Sequence, residues 1–114
     1  MPGNIEDRKS FIVDIPAAVG DFLRIVKPPQ SVLFHSGVVV LPQNRDVGWH
    51  NTENYEEIIV VLEGRGVAEA GDTGRRPIEK GNVLYIPPKI EHNIYNQSPE
   101  PLKYIYIASP AEQK

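Results

Sequence analysis

The sequence predicts an all-β fold, a small sandwich or barrel of about ten short strands. Three observations lead to it. Eleven prolines and nine glycines are spread along the 114 residues, leaving apolar runs of strand length between turn residues. Those runs are rich in valine, isoleucine, tyrosine and phenylalanine, which fit a pleated surface. No stretch of helical length carries the roughly 3.6-residue apolar period of an amphipathic helix.

The elements follow in order. Residues 1–10 are polar and are expected to form an N-terminal arm. Phe11 to Ile15 reads as a short strand ended by Pro16, and Phe22 to Val26 as another ended by Pro28-Pro29. Ser31 to Leu41 reads as a longer strand with Gly37 as a bulge. Pro42 to Asp46 is a loop. Glu57 to Leu62 is a nearly unbroken β-branched and apolar run, hence a strand. Gly64-Arg65-Gly66 turns the chain into Val67 to Ala70, and Gly71-Asp72-Thr73-Gly74 forms a hairpin tip. Arg75-Arg76 beside that tip reads as solvated. Asn82 to Ile86 is a strand stopped by Pro87-Pro88. His92 to Tyr95 and Leu102 to Ala108 complete the set, before a polar tail from Ser109. With no repeat and no internal boundary, residues 1–114 read as one domain.

Composition narrows the function classes. Twelve basic and fifteen acidic residues give a formal charge of −3, without the basic stripe of a nucleic-acid binder. The absence of cysteine excludes disulfides and thiolate zinc sites. No apolar run approaches the ~20 residues of a membrane span, and the polar start lacks a signal-peptide core. A cytoplasmic protein is expected, with neither nucleic acid nor membrane as partner.

The chemistry concentrates in two blocks. One runs from Trp49-His50 through Thr52 and Glu56-Glu57 to Gly64; the other runs from Gly81 through Pro87-Pro88 to His92 and Asn96. Strand alternation puts Glu57, Ile59 and Val61 on one face and Glu56, Ile58 and Val60 on the other, so the adjacent glutamates do not form an acid–base pair. If His50, Glu57 and His92 meet in one cavity, two imidazoles and a carboxylate can hold a divalent metal and leave positions open. That donor set suits Fe, Mn, Ni, Co or Zn alike. Ligation needs neutral histidines, so occupancy should fall below about pH 6. Spacing alone also fits hydrogen-bonded structural histidines, and leaves both readings open.

Other side chains extend the candidate pocket. His35 faces the lumen or, by the more ordinary reading, hydrogen-bonds within the wall. Tyr85 and Tyr104 sit at strand positions where a hydroxyl can reach a pocket. Tyr106 shares a face with Tyr104, and core packing or a dimer contact is the plainer role for both. Trp49 points away from His50. Arg24, on an apolar strand, is either a carboxylate or phosphate binder or simply solvated.

These blocks resemble the cupin family, whose motifs run G-x5-H-x-H-x3,4-E-x6-G and G-x5-P-x-G-x2-H-x3-N. His50, Glu57 and Gly64 match the first in register, and Gly81, Pro87, His92 and Asn96 match the second. Asn44 stands at the opening glycine, Thr52 at the second histidine and Lys89 at the inner glycine. The resemblance covers about residues 31–108. It implies a double-stranded β-helix, or jelly-roll, barrel, a homodimer, and His50, Glu57 and His92 as metal ligands, with Thr52 in the vacated ligand position. The function it implies is binding of a divalent metal and a small organic ligand, with dioxygenase- or isomerase-type chemistry. The alternative is a metal-free module that binds or senses a small molecule.

Overall fold

Along one central strand Ile59 and Val61 are 1% and 2% exposed while Ile58, just before them, is 41% exposed, and this alternation divides the inside of the protein from the outside. A computed structural model describes residues 8–111. Its strands are β1 Phe22–Val26, β2 His35–Leu41, β3 Arg45–Asp46, β4 His50–Asn51, β5 Tyr55–Glu63, β6 Arg65–Ala70, β7 Gly74–Glu79, β8 Val83–Ile86, β9 Glu91–Asn96 and β10 Leu102–Pro110. Among the described residues no helix is long and apolar enough to cross a membrane.

The strands form two antiparallel sheets. The first has the order β1-β2-β10-β5-β8; the second has the order β3-β9-β6-β7, with β4 also paired to β9. The core lies between them. Leu41, Ile59, Val61, Ile86, Leu102 and Tyr104 enter it from the first sheet, and Ala68, Ile78 and Ile94 from the second. The fold is the all-β, double-stranded β-helix architecture expected from the sequence.

Several elements differ from expectation. Phe11 to Ile15 is not a strand; its residues have strand composition, but no neighbouring strand pairs with them, and Ile12 is 92% exposed. β2 begins at His35 rather than Ser31, because the Ser31 hydroxyl closes a loop by donating to the Phe34 carbonyl at 2.6 Å. The bulge lies not at Gly37 but opposite it, between Arg24 and Val26 on β1. Within 42–46 the chain pairs briefly as β3. Gly74–Glu79, outside the expected strands, forms β7 against β6. Pro77 is tolerated there because β7 is an edge strand, where a missing N–H leaves no ladder bond unmade. Ser109 and Pro110, expected in a polar tail, extend β10 opposite Glu56 and Tyr55. Of the expected N-terminal arm, residues 1–7 lie outside the described residues, as do residues 112–114 of the tail.

The family motif positions share a backbone property. Asn44, Gly64, Gly81 and Lys89 have φ of 65°, 79°, 93° and 63°. All four are left-handed, the conformation in which a Cβ crowds the following carbonyl. At Gly64 a Cβ would also overlap the Pro101 carbonyl oxygen. The motif glycines are thus turn positions, and this chain fills two of them with side chains that must tolerate the strain.

Candidate metal centre

His50 on β4 and His92 on β9 are cross-strand partners, which brings residues far apart in sequence into contact. Their ring centroids are 4.0 Å apart, with the planes inclined at 62°. Each ring is held in the same way. His50 Nδ1 lies 3.0 Å from the Gly48 carbonyl oxygen and His92 Nδ1 3.2 Å from that of Ile90. A carbonyl only accepts, so Nδ1 is the donor in both rings, and in a neutral ring Nε2 is the atom with the free lone pair. Backbone anchoring of this kind is how ligating histidines are commonly oriented.

Glu57 reaches the same place from the opposite sheet. It lies on β5 between Ala108 of β10 and Ile86 of β8, and its inward side chain puts Oε1 3.6 Å from His92 Nε2. That is too far for a hydrogen bond. His92 is 2% exposed, and its Nε2 is buried without a hydrogen-bond partner. An unmet buried polar atom costs roughly 1–3 kcal/mol. One donor atom from each of His50, Glu57 and His92 lies within 4.8 Å of the others. Metal–ligand bonds of about 2.0–2.2 Å would need these atoms to draw somewhat closer. The donors fit a divalent transition metal, which would satisfy the His92 lone pair and balance the Glu57 charge.

The three donors open into a cavity of about 220 Å³ lined also by Val39, Val47, Ile59, Ile94, Tyr104, Tyr106 and Ala108. Its wall is mostly apolar, with two phenols. Burial pushes the Tyr104 hydroxyl well above its usual pKa, helped by the Glu57 charge and by Tyr106; it stays a neutral phenol across the physiological range. A second, larger recess of about 510 Å³ includes Asp46, Trp49, Arg75, Asn93 and Tyr95 among its lining residues. None of the three donors lines it, so the 220 Å³ cavity is the one relevant to metal chemistry.

The structure sorts the expected pocket residues. Tyr104 lines the cavity. Tyr106, given a packing role from sequence, lines it too; the signal was present in the i, i+2 spacing of Tyr104, Tyr106 and Ala108 along one face of β10. Thr52 does not line the cavity. It is 7% exposed; its hydroxyl donates to the Pro87 carbonyl at 2.7 Å and accepts from Ile90 N–H at 3.0 Å. A hydroxyl satisfied by backbone on both sides is a clamp on the 87–90 turn, not a ligand facing the donors. His35 is a wall residue, its Nε2 3.4 Å from the Tyr55 hydroxyl and its ring edge-on to Tyr55. Tyr85 is on the outer face, 54% exposed, and donates to Glu56 Oε1 at 2.9 Å. That hydrogen bond is the main reason its pKa is raised. Tyr85 faces outward because it pairs with Ile58, an outward residue of β5.

Comparison with known proteins agrees with this architecture. The cupin domain family matches residues 37–108. An uncharacterised protein of Methanocaldococcus jannaschii is 35% identical over 71 residues, 62% of this chain and 56% of that protein. The chain therefore spans little more than half the length of that relative. A cupin protein from Bacteroides fragilis has a TM-score of 0.75 at 20% identity, over 95% of this chain and 88% of that one. A Thermotoga maritima protein described as a predicted oxalate decarboxylase has a TM-score of 0.64 at 26% identity, over 67% of this chain and 65% of that one.

Proposed function

The chain belongs to the cupin domain family, and we propose that it binds one divalent transition metal through His50, Glu57 and His92, with a small organic ligand beside it. The observation that carries this reading is the His92 Nε2 atom, buried without a partner and facing a carboxylate oxygen at 3.6 Å. A purely structural histidine in a core finds a second partner; this one is left with an acceptor facing an acceptor, an arrangement relieved by a cation or a proton. When bound, the metal would supply Lewis-acid polarisation of a ligand oxygen. The chain supplies the rest. The two carbonyl-anchored rings leave Nε2 free to ligate, Glu57 supplies a carboxylate oxygen, and Val39, Val47, Ile59, Ile94 and Ala108 give the ligand an apolar wall. Chemistry of dioxygenase or isomerase type on a small oxygen-rich molecule is the activity proposed for this arrangement.

Elemental analysis of untagged protein purified without chelator tests the proposal. One metal per chain, lost in His92→Ala, is the expected result. Folded, metal-free protein that takes up none of Mn, Fe, Co, Ni or Zn would instead leave the same cavity as the site of a metal-free binding or sensing module.

A homodimer is proposed as well. Support comes from the outer face of the first sheet, where Tyr85, Ile58 and Ile107 form one cross-strand row and Val83 lies beside them at 63% exposure. Sedimentation should give twice the mass of a 12.8 kDa chain; a monomer at high concentration would refute it.

A further inference from the structure

We propose that Arg24 is the anion-binding residue of the cavity, and that the organic ligand is a small acid whose carboxylate or phosphate group meets its guanidinium. The inference rests on the reading of this cavity as a ligand site and adds the chemical class of the ligand.

Register places Arg24 on the cavity side of the first sheet. Arg24 pairs with Gly37, Gly37 with Tyr106, and Tyr106 with Ile59. The four form one cross-strand row on the inward face, and Tyr106 and Ile59 line the cavity. Gly37 has no side chain, so nothing in the row separates Arg24 from Tyr106. Arg24 Nη1 donates to the Tyr106 hydroxyl at 2.9 Å. The space above Gly37 is taken by the Phe22 ring, since a Cβ there would come within 2.6 Å of it. That ring stacks on Tyr106 with centroids 6.4 Å apart, and the guanidinium carbon sits 5.0 Å above its centroid. A long, flexible side chain on an edge strand is thus held by a hydrogen bond and an aromatic face.

Its charge is unmatched. Among the described residues no carboxylate lies within ion-pair distance of Arg24, and the bond to Tyr106 uses one of five guanidinium donors. A positioned, solvent-accessible guanidinium with free donors and no acidic partner suits paired recognition of a carboxylate or phosphate. The Tyr106 oxygen accepts from Arg24, which leaves its own O–H to donate into the cavity. Ala108, the next inward residue along β10, pairs with Glu57, about 7 Å along the strand from Tyr106. A short acid can therefore place its anionic end at Arg24 and a second oxygen toward His50, Glu57 and His92.

Calorimetric titration of glycolate, oxalate and inorganic phosphate into metal-loaded and metal-free protein tests this, with glycolamide as the neutral control. Arg24→Gln should weaken binding of at least one of the three anions by about tenfold to a hundredfold, and Arg24→Lys should recover part of it. Glycolamide binding, metal affinity and melting temperature should not change, which separates charge recognition from a structural role. A preference for phosphate over both carboxylates would identify the anion as a phosphate. Equal anion affinities in wild type and Arg24→Gln, or no binding of any of the three anions to either form, would overturn the inference. Protein that takes up none of the metals yet whose anion binding still depends on Arg24 would sustain it while refuting the metal site.

Discussion

His50 and His92 face each other across the β4–β9 pairing, each with its Nδ1 turned onto the carbonyl two residues before it. The same side-chain anchoring therefore occurs in two unrelated stretches of chain. In each, the carbonyl two residues back takes the Nδ1 hydrogen and leaves Nε2 free. Glu57 completes the set from the other sheet, so the site lies across the interface between sheets and depends on their packing.

Metal should stabilise the protein through these donors. At a free metal concentration a hundred times Kd, a site that exists only in the folded state adds about 2.7 kcal/mol. Thermal unfolding of wild type with Ni or Zn should show this gain, and His92→Ala should show little or none.

Thr52 should matter for stability through its two backbone partners. Thr52→Val keeps the shape but removes the hydroxyl, leaving Pro87 O without its 2.7 Å donor and Ile90 N–H without its 3.0 Å acceptor. Denaturant unfolding should show a loss of about 1–3 kcal/mol. A loss below a few tenths would mean the clamp is not a stabilising contact.

Lys89 occupies a left-handed position at φ 63° and is exposed. Lys89→Gly relieves a penalty of roughly 1–2 kcal/mol but gives the unfolded chain about 0.4–1 kcal/mol more entropy to lose. The expected net effect is a stabilisation of about 0.5–1 kcal/mol, read as a shift in the denaturation midpoint at constant slope. At Gly64 the sign reverses: Gly64→Ala combines the same strain with overlap on Pro101, and should destabilise by more than about 2 kcal/mol.

Alkaline pH should unfold the metal-free protein partly through Tyr104. Its folded pKa is raised, chiefly by burial and then by Glu57 and Tyr106, while the unfolded phenol ionises near the ordinary ~10. The folded state thus holds the proton where the unfolded state has lost it. This contribution to stability is complete below about pH 10 and declines as pH rises above it. Stability measured against pH should fall over that range, and Tyr104→Phe should flatten the slope.

Much of the fold was legible because short β-branched and apolar runs lie between turn residues. The strand at Glu57 to Leu62 follows from its β-branched run, and the shared face of Glu57, Ile59 and Val61 from the two-residue period of a strand. β7 was hidden because Gly74-Arg75-Arg76-Pro77-Ile78-Glu79 buries one residue, Ile78, and carries a proline only an edge strand accepts. Phe11 to Ile15 misled in the opposite way: composition does not supply a pairing partner. Within the site, the three donors were legible from motif spacing. The role of Thr52 was not, since a hydroxyl's partners are fixed by tertiary structure; nor was the outward aim of Tyr85, because alternation tells which residues share a face but not which face is inside. Arg24 could be noticed, but only the register through Gly37 connects it to the cavity.

The central claim is that His50, Glu57 and His92 hold a single ion. Its most direct test is an anomalous difference map from crystals grown with Co, collected at the Co edge. One peak per chain bonded to an imidazole nitrogen of His50, an imidazole nitrogen of His92 and a carboxylate oxygen of Glu57 is the predicted result. A map without a peak among these three side chains, in protein that has been saturated with the metal, would contradict it.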